Sequence, residues 1–364
     1  MPDPQTLLLV GAGHTHLHLL RHADRLRAAG WRVEMLAPRW FDYSGVGSAV
    51  ATGTLPLEAG RLDVAGLAAR SGVRHHEDTL AGLDVLARVA TTATGRRLRY
   101  DVVSLGIGSV TSDPGVPVGA GVVGVKPLAG LQTLADRLPD EGSAVVTVVG
   151  AGPSGLELAA QLAVRAGVRA VRLVDGGDVV GPSLPAGARR HVERVLARRG
   201  VEVVLAARVE RLDPTSVTLA DGRVLEHDLA VLAGGLAAPP LVADLGLGDE
   251  RGVPVRATLQ HVEHDDVYAV GDCARFTPRP LPRIGVHGVR QAPVLLAALE
   301  ARGRGEDTSG HVYRPREHFL SVLDLGAGRG LATRARWWWG GRGALLLKRR
   351  IDRRWIGSYR AAGG

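Results

Sequence analysis

Two glycine-rich turns, each between an apolar segment and a helical pattern, constrain the fold of this chain most strongly. The first turn is residues 11–16 (GAGHTH) after the apolar residues 7–10, and the second is residues 150–155 (GAGPSG) after residues 145–149. In such a turn the first glycine allows a sharp bend and the second lets a pyrophosphate approach the backbone. The third lets helix and strand pack closely. Two turns predict two bound dinucleotides on an α/β fold with two Rossmann-like domains.

The second turn carries all three glycines and is followed by an acidic residue at the expected distance. The next predicted strand, residues 170–174, ends in Asp175. A carboxylate at this place accepts hydrogen bonds from both ribose hydroxyls and repels a 2'-phosphate, so we predict NADH rather than NADPH. The alternative is that Asp175 only opens the turn 175–177.

The first turn departs from this pattern at two positions. His16 stands where the third glycine is expected, and the following strand, residues 32–36, ends at Ala37 rather than at an acid. A flavin held by many other contacts tolerates both changes. A second apolar segment, from residue 267, runs into Gly271-Asp272, whose carboxylate can accept a hydrogen bond from a ribityl hydroxyl. We therefore predict FAD at the first turn.

An internal sequence repeat indicates that the two nucleotide sites are built alike. Residues 98–106 resemble residues 225–234, and each segment follows a glycine-containing hairpin turn, residues 94–96 and 221–223. The chain thus holds two copies of one plan. Its 364 residues suffice for two domains and a small third one. We predict an FAD-binding domain (1–116 and 236–300), an inserted NADH-binding domain (117–235) and a small C-terminal domain (301–364), with Pro/Gly-rich crossings at 113–117 and 237–240.

These motifs resemble the two-dinucleotide-binding-domain flavoproteins of the pyridine nucleotide-disulfide oxidoreductase superfamily. Residues 50–53 and 258–260 look like segments of type II NADH:quinone dehydrogenases. The GAGHTH turn and residues 125–127 look more like a flavoprotein branch associated with selenide water dikinase. The resemblance implies an FAD-dependent enzyme that takes a hydride from NADH and passes two electrons to an acceptor, most plausibly a quinone. It also places Glu157 near the junction of nicotinamide and flavin.

The segment 283–291 is the predicted acceptor side, where a helix start faces the flavin and stabilises negative charge. Type II enzymes carry two glutamines here; Gln291 matches one, and His287 stands in place of the other. His287 could donate a proton to a reduced quinone. The alternative is that it only packs against the flavin.

The candidate site residues fall into two groups. The candidate catalytic residues are His287, Gln291 and Glu157. The candidate cofactor-binding residues are Gly11, Gly13, His14, Thr52, Gly108, Asp272, Gly150, Gly152, Gly155, Asp175 and Gly234. His14 and His18 have a spacing that can bind zinc on a helix. We predict no metal there, because a pyrophosphate should occupy that helix end.

Cysteine content narrows the function. Cys273 is the only cysteine, so no dithiol can relay electrons from a flavin, which excludes disulfide reductases and sulfide:quinone reductases. The absence of disulfides favours a reducing compartment, and residues 1–4 do not resemble a signal peptide. We therefore predict a cytoplasmic protein.

The C-terminal residues 331–364 are basic and rich in tryptophan. Nine basic residues stand there against Asp352, together with Trp337, Trp338, Trp339 and Trp355. Tryptophan and arginine beside leucine suit a bilayer interface, but no run of eighteen apolar residues could span it. We expect peripheral contact with the cytoplasmic face of the membrane. The alternative is that the tryptophans pack onto the flavin domain or a second subunit.

Other classes of function fit less well or stay open. The tryptophans are clustered and not interleaved with basic residues, which disfavours nucleic-acid binding. A monooxygenase is also disfavoured, because no additional fingerprint lies between the two glycine turns. A soluble NADH-dependent reductase of a protein or small-molecule acceptor remains an alternative, with the basic tail docking an acidic partner. A low-turnover, redox-sensing flavoprotein is another. The sequence leaves the oligomeric state open.

Overall fold

The structure is a computed structural model that describes residues 4–360. The strands in chain order are β1 (Gln5–Val10), β2 (Trp31–Ala37), β3 (Trp40–Asp42), β4 (Arg61–Asp63), β5 (Arg74–Glu77), β6 (Leu80–Asp84), β7 (Val89–Thr92), β8 (Arg97–Arg99), β9 (Val102–Leu105), β10 (Val110–Thr111), β11 (Val123–Gly124), β12 (Ala144–Val149), β13 (Val168–Val174), β14 (Glu202–Val204), β15 (Val209–Leu212), β16 (Ser216–Leu219), β17 (Val224–Glu226), β18 (Leu229–Leu232), β19 (Leu236–Ala237), β20 (Val253–Val255), β21 (Val267–Ala269), β22 (Ala274–Phe276), β23 (Ser321–Asp324), β24 (Gly330–Arg334) and β25 (Trp337–Gly341). The α-helices are α1 (His14–Arg21), α2 (Ala23–Ala28), α3 (Gly47–Ala51), α4 (Val64–Arg70), α5 (Leu128–Gln132), α6 (Leu134–Arg137), α7 (Pro153–Leu162), α8 (Ala186–Arg198), α9 (Leu241–Asp244), α10 (Gly285–Gly303) and α11 (Arg342–Arg360). Short 3-10 helices cover Ser44–Val46, Leu57–Ala59 and Gly271–Cys273.

The first parallel sheet is the core of the predicted flavin half. Its strand order is β21-β9-β1-β2-β5, and every neighbouring pair is parallel. The central strand β1 is apolar from Leu7 to Val10 because both faces of the sheet are covered, and Leu7, Leu8 and Leu9 are fully buried. The carboxyl end of β1 leads directly into the first glycine turn.

The second parallel sheet repeats this arrangement with strands taken from the middle of the chain. Its order is β11-β18-β12-β13-β14, and β12 leads into the second glycine turn. The first sheet takes strands from before and after this unit. The short strands β10 and β19 pair antiparallel where the chain passes between the two sheets. The predicted α/β fold with two Rossmann-like units is confirmed; the domain limits at 116, 236 and 300 stay our proposal, and the last of them falls inside α10.

The two units also carry matching antiparallel sheets, as the internal sequence repeat predicts. These are β6-β7-β8 in the first unit and β15-β16-β17 in the second. The turn glycines have nearly the same left-handed backbone, with φ of +83° at Gly95 and +84° at Gly222. Each turn needs this conformation to close its hairpin, which glycine adopts without a steric penalty.

The C-terminal unit consists of the antiparallel sheet β23-β24-β25 and α11. Leu345 is buried, Leu331 packs into the core of the second unit, and Ile356 and Tyr359 pack into the core of the first unit. Within residues 4–360, no helix is both long enough and apolar enough to cross a bilayer.

Candidate nucleotide and electron-transfer site

The first turn presents free backbone amides at the start of α1. Gly13 is the N-cap, and no side chain caps the helix. Gly11 has φ of +84°, and a Cβ on it would lie 2.5 Å from the carbonyl oxygen of Gly106. A cleft of about 420 Å³ opens beside the turn and is also lined by Gly108. Uncapped amides at the positive end of a helix fit a pyrophosphate.

His16 occupies the place of the third glycine through compensating contacts. Its Nδ1 lies 2.6 Å from the carbonyl oxygen of Gly11, and its Nε2 lies 2.8 Å from Ser104 Oγ. Burial lowers the pKa of His16 to about 4, so the ring is neutral, donates from Nδ1 and accepts at Nε2. A Cβ on Gly106 would lie 2.8 Å from the ring. The room that a third glycine normally provides is therefore supplied by Gly106, directly after the neighbouring strand β9.

The second turn has the geometry that its sequence predicts. Gly152 is the N-cap of α7, and a Cβ there would meet nothing within 4 Å, which leaves space for a phosphate. Gly150 has φ of +110°, and a Cβ on Gly155 would overlap the Gly150 carbonyl oxygen. A cleft of about 280 Å³ beside the turn is lined by Gly150, Asp175, Arg208 and Gly234.

Asp175 lies in this second cleft and also organises the backbone around it. Its Oδ2 accepts a hydrogen bond from the amide of Ala151 at 2.6 Å, and its Oδ1 accepts one from the amide of Gly177 at 2.7 Å. It therefore opens the turn 175–177, as the alternative interpretation expected. Each carboxylate oxygen retains a further acceptor site for a ribose hydroxyl.

Asp272 and Gln291 meet at the other end of the flavin cleft. Ser109, which lines the cleft, donates its hydroxyl to Asp272 Oδ2 at 2.9 Å. The amide of Gly271 donates to Gln291 Oε1 at 2.7 Å. Helix α10 begins at Gly285 without a side-chain cap, as the predicted helix start requires. Gln291 thus fixes the Gly-Asp turn through its side-chain carbonyl oxygen.

Glu157 lies where the two units meet. It lines a small cavity of about 70 Å³ together with Ser48 and Lys126, and Lys126 also lines the flavin cleft. Ser48 Oγ donates to Glu157 Oε2 at 3.0 Å, and the amide of Asp324 donates to Oε1 at 2.6 Å. Burial raises the pKa of Glu157, and the nearby ammonium of Lys348 opposes the shift.

Several polar residues of this junction and of the flavin cleft are not indicated by the sequence motifs. They are Ser48, Ser109, Lys126 as a cleft residue, and Lys348, which bonds Asp352 at 3.0 Å. Burial lowers the pKa of Lys126, and Asp272 opposes the shift. The only available signal was that Lys126 and Lys348 are the two lysines among 45 basic residues.

His287 is buried on the far side of α10 from solvent. Its Nδ1 lies 2.8 Å from the hydroxyl of Tyr313, and its ring packs edge-on to Phe319 at 6.3 Å. Its Nε2 has no hydrogen-bond partner among residues 4–360. Burial lowers the pKa of His287, and Arg290 adds to the shift. A lowered pKa disfavours the role of proton donor, because a neutral imidazole has no readily transferable proton; both roles of His287 stay predictions.

Two candidate cofactor residues direct their side chains away from the cleft. The ring of His14 packs among Phe41, Tyr43 and Trp355, at 4.9 Å from the Trp355 ring, and burial lowers its pKa to about 4. The hydroxyl of Thr52 lies 3.0 Å from Gln161 Oε1 on α7. Contact between these side chains and a nucleotide is therefore not expected, although the backbone of His14 still starts α1.

The four tail tryptophans divide into two exposed and two packed residues. Trp337 and Trp339 are 69% and 43% exposed. Trp338 packs against His191 of α8, and Trp355 stacks on Tyr43 at 4.4 Å. Packing onto the flavin domain, the alternative, thus holds for Trp355, whereas Trp338 packs on the second unit instead. The expectation of a headgroup contact rests on the exposed pair.

Comparison with known proteins places the chain in a class. Residues 6–294 match the model of the pyridine nucleotide-disulphide oxidoreductase family, so the chain belongs to that family. Membership confirms the predicted resemblance and implies FAD and NADH as the cofactors.

The similarity to individual proteins is limited in identity or in the length that it covers. The chain is 31% identical to the nitric oxide reductase FlRd-NAD(+) reductase of Aeromonas salmonicida over 55% of its own length and 52% of that protein. It is 29% identical to an NADH dehydrogenase-like protein of Mycobacterium tuberculosis over 60% and 59% of the two chains. The match therefore spans between half and three fifths of these relatives. The fold resembles that of NDH2 from Plasmodium falciparum in complex with NADH, with a TM-score of 0.84, 12% identity and coverage of 98% and 97%.

Proposed function

We propose that this protein is an FAD-dependent NADH oxidoreductase that passes two electrons to a quinone. The observation that carries the proposal is a small cavity that adjoins the flavin cleft at Lys126 and is also lined by Glu157 of α7, the helix that follows the second turn. Lys126 lines the flavin cleft. The adjoining cavity is lined by both Ser154 and Glu157 of α7. A dinucleotide on each turn would bring its reactive ring towards this junction.

The residues of each turn fit the group that would bind there. Gly11, Gly13 and the α1 amides would hold the FAD pyrophosphate, and Asp272, positioned by Ser109, would accept a ribityl hydroxyl. Gly150 and Gly152 would hold the NADH pyrophosphate. When bound, FAD accepts a hydride from NADH and releases two electrons to a second substrate.

The residues at the junction position the reactants and exclude water. Glu157 joins Ser48 of the first unit to the Asp324 amide of the C-terminal unit, and its buried carboxylate would orient the nicotinamide from α7. Lys126 would supply a positive charge on the flavin side; burial lowers its pKa, and Asp272 and Asp42 oppose that shift. Orientation of this kind is the main contribution a protein makes to hydride transfer.

A quinone is favoured as acceptor by the outer surface of the C-terminal unit. Trp337, Trp339, Leu346 and Ile351 are exposed there, in a stretch of chain that also carries Arg336 and the arginines of α11. Apolar side chains with tryptophan and arginine suit the headgroup layer, where a long-tailed quinone resides. On this proposal the protein is peripheral to the membrane.

The test is anaerobic reduction of the purified holoprotein by NADH, followed by a panel of acceptors. We expect NADH to bleach the flavin absorbance and a quinone to restore it within the turnover time. Glu157→Gln should slow bleaching by roughly tenfold or more, since a misplaced nicotinamide loses near-attack geometry. Glu193→Gln, an exposed glutamate on α8, is the matched control and should leave the rate unchanged. Bleaching without reoxidation by any quinone would refute the acceptor.

A reductase of an iron–sulfur protein is the second candidate. Its supporting observation is the same basic surface, which would attract an acidic partner. Reoxidation by a ferredoxin-type protein that is faster than by any quinone, and is weakened by salt, would favour this candidate over the first.

A further inference from the structure

A further cleft, which shares no lining residue with the clefts beside the two nucleotide turns, is lined by five arginines. It has a volume of about 500 Å³ and lies between the first parallel sheet and the antiparallel sheet β6-β7-β8. Its arginines come from four segments of the chain: Arg27 of α2, Arg32 of β2, Arg74 of β5, and Arg97 and Arg99 of β8. Because nucleotides bind at the carboxyl ends of parallel strands, and this cleft is built on early residues of β1, β2 and β5, it belongs to neither nucleotide site.

The floor of the cleft is a buried polar pair. Glu34 Oε2 lies 2.6 Å from Nε2 of His76, and these side chains are 12% and 4% exposed. Arg32 donates to the hydroxyl of Thr6 at 2.7 Å and lies 3.8 Å from Glu34. This arrangement holds the Arg32 guanidinium at the wall of the cleft.

The other arginines leave a strong excess of positive charge. Arg27 donates only to the backbone carbonyls of Ser71 and Gly72. Arg74, Arg97 and Arg99 form no ion pair with any residue in 4–360. Elsewhere in the protein, exposed arginines such as Arg211 and Arg223 have an aspartate partner within 3 Å. Five guanidinium groups therefore face one carboxylate, which is already bonded to His76.

We propose that this cleft binds a small anion that carries several phosphate groups. Guanidinium groups bind phosphate through two parallel hydrogen bonds, and several of them around a concave site match a ligand with more than one phosphate. The volume is that of a small-molecule site. A concave wall built from four chain segments favours such a ligand over a flat protein surface.

The test uses tripolyphosphate as the probe on FAD-saturated protein, with binding measured by calorimetry at constant ionic strength. Arg97→Gln combined with Arg99→Gln should weaken the tightest binding by at least about tenfold, which corresponds to about 1.4 kcal/mol. The matched control is Arg211→Gln with Arg223→Gln, which removes the same charge from the equivalent antiparallel sheet of the second unit. It should leave affinity unchanged.

Each other outcome overturns the proposal. Equal weakening by both double variants would mean that tripolyphosphate responds only to net charge. No weakening by either would place the binding at the nucleotide turns or the tail. Arg74→Gln, on the opposite wall, must also weaken binding, and unchanged flavin absorbance and melting temperature verify that the variants are folded. Titration with anionic vesicles in place of tripolyphosphate separates a lipid headgroup from a free phosphate compound: binding that appears only with vesicles would refute a soluble ligand.

Discussion

Replacing Gly106 by alanine should disrupt the flavin turn, because the new Cβ would lie 2.8 Å from both Cε1 and Nδ1 of His16. Real Cβ contacts of this length do not occur, so the ring must move. Overpacking of a buried site costs about 1–3 kcal/mol. Displacing the ring also threatens its bonds to Gly11 and Ser104, each worth about 1 kcal/mol. We expect a total loss of about 3 kcal/mol, or roughly 6–12 °C in melting temperature for a unit of this size.

The physical reason is tested by repeating the substitution without the histidine ring. His16→Gly restores the three-glycine pattern and removes the atoms that the Cβ would meet. In that background Gly106→Ala should cost less than about 1 kcal/mol, which gives a coupling energy of about 2 kcal/mol in a double-mutant cycle. Gly343→Ala is the control, since a Cβ at this exposed helix position meets nothing within 4 Å.

The assay is thermal unfolding of the holoprotein, followed by circular dichroism and by the fluorescence of released flavin. Both signals should move together in Gly106→Ala and return towards the starting values in the double variant. If Gly106→Ala keeps its flavin and melts within about 2 °C of the parent protein, or if the penalty is the same in both backgrounds, the compensation between His16 and Gly106 is wrong.

Three further predictions concern the cofactors and the tail. Asp272→Ala should lose flavin. The measurement is the ratio of visible flavin absorbance to protein absorbance after desalting. Asp175 should favour NADH over NADPH by roughly tenfold or more in kcat/KM, and Asp175→Ser should reduce that preference because Arg208 lines the same cleft and can pair with a 2'-phosphate. Replacing both Trp337 and Trp339 by serine should weaken binding to anionic vesicles in a sedimentation assay, with high salt weakening the arginine contribution further.

The outcomes that contradict these three predictions are equally specific. Full flavin occupancy in Asp272→Ala would show that flavin binding does not depend on a contact between Asp272 and the ribityl chain. Equal use of NADH and NADPH by the parent protein would refute the role of Asp175 in nucleotide choice. Leu86→Ala combined with Val224→Ala removes exposed apolar surface elsewhere and is the control for the tail. Equal vesicle binding by the parent, the tail variant and this control would refute the membrane contact.

The parts of the fold that depend on local sequence were predictable. The glycine turns after β1 and β12 are predictable because each is encoded by consecutive residues. The hairpin turns at Gly95 and Gly222 are predictable for the same reason. The site details depend on contacts between distant residues. His16 fits because Gly106, 90 positions away, directly follows β9, the strand that pairs with β1. No pattern around either residue reveals this contact. The same holds for Trp355, whose place on Tyr43 separates it from the exposed tail tryptophans.

The C-terminal unit touches both halves of the molecule: Trp338 packs on α8 of the second unit, and Trp355 stacks on Tyr43 of the first. A rotation of one half against the other would break both contacts at once, and would also pull Asp324 away from Glu157. The unit therefore acts as a brace that keeps the donor and acceptor halves in fixed alignment. The entropy of aligning them is lost when the chain folds, and not again in each catalytic cycle.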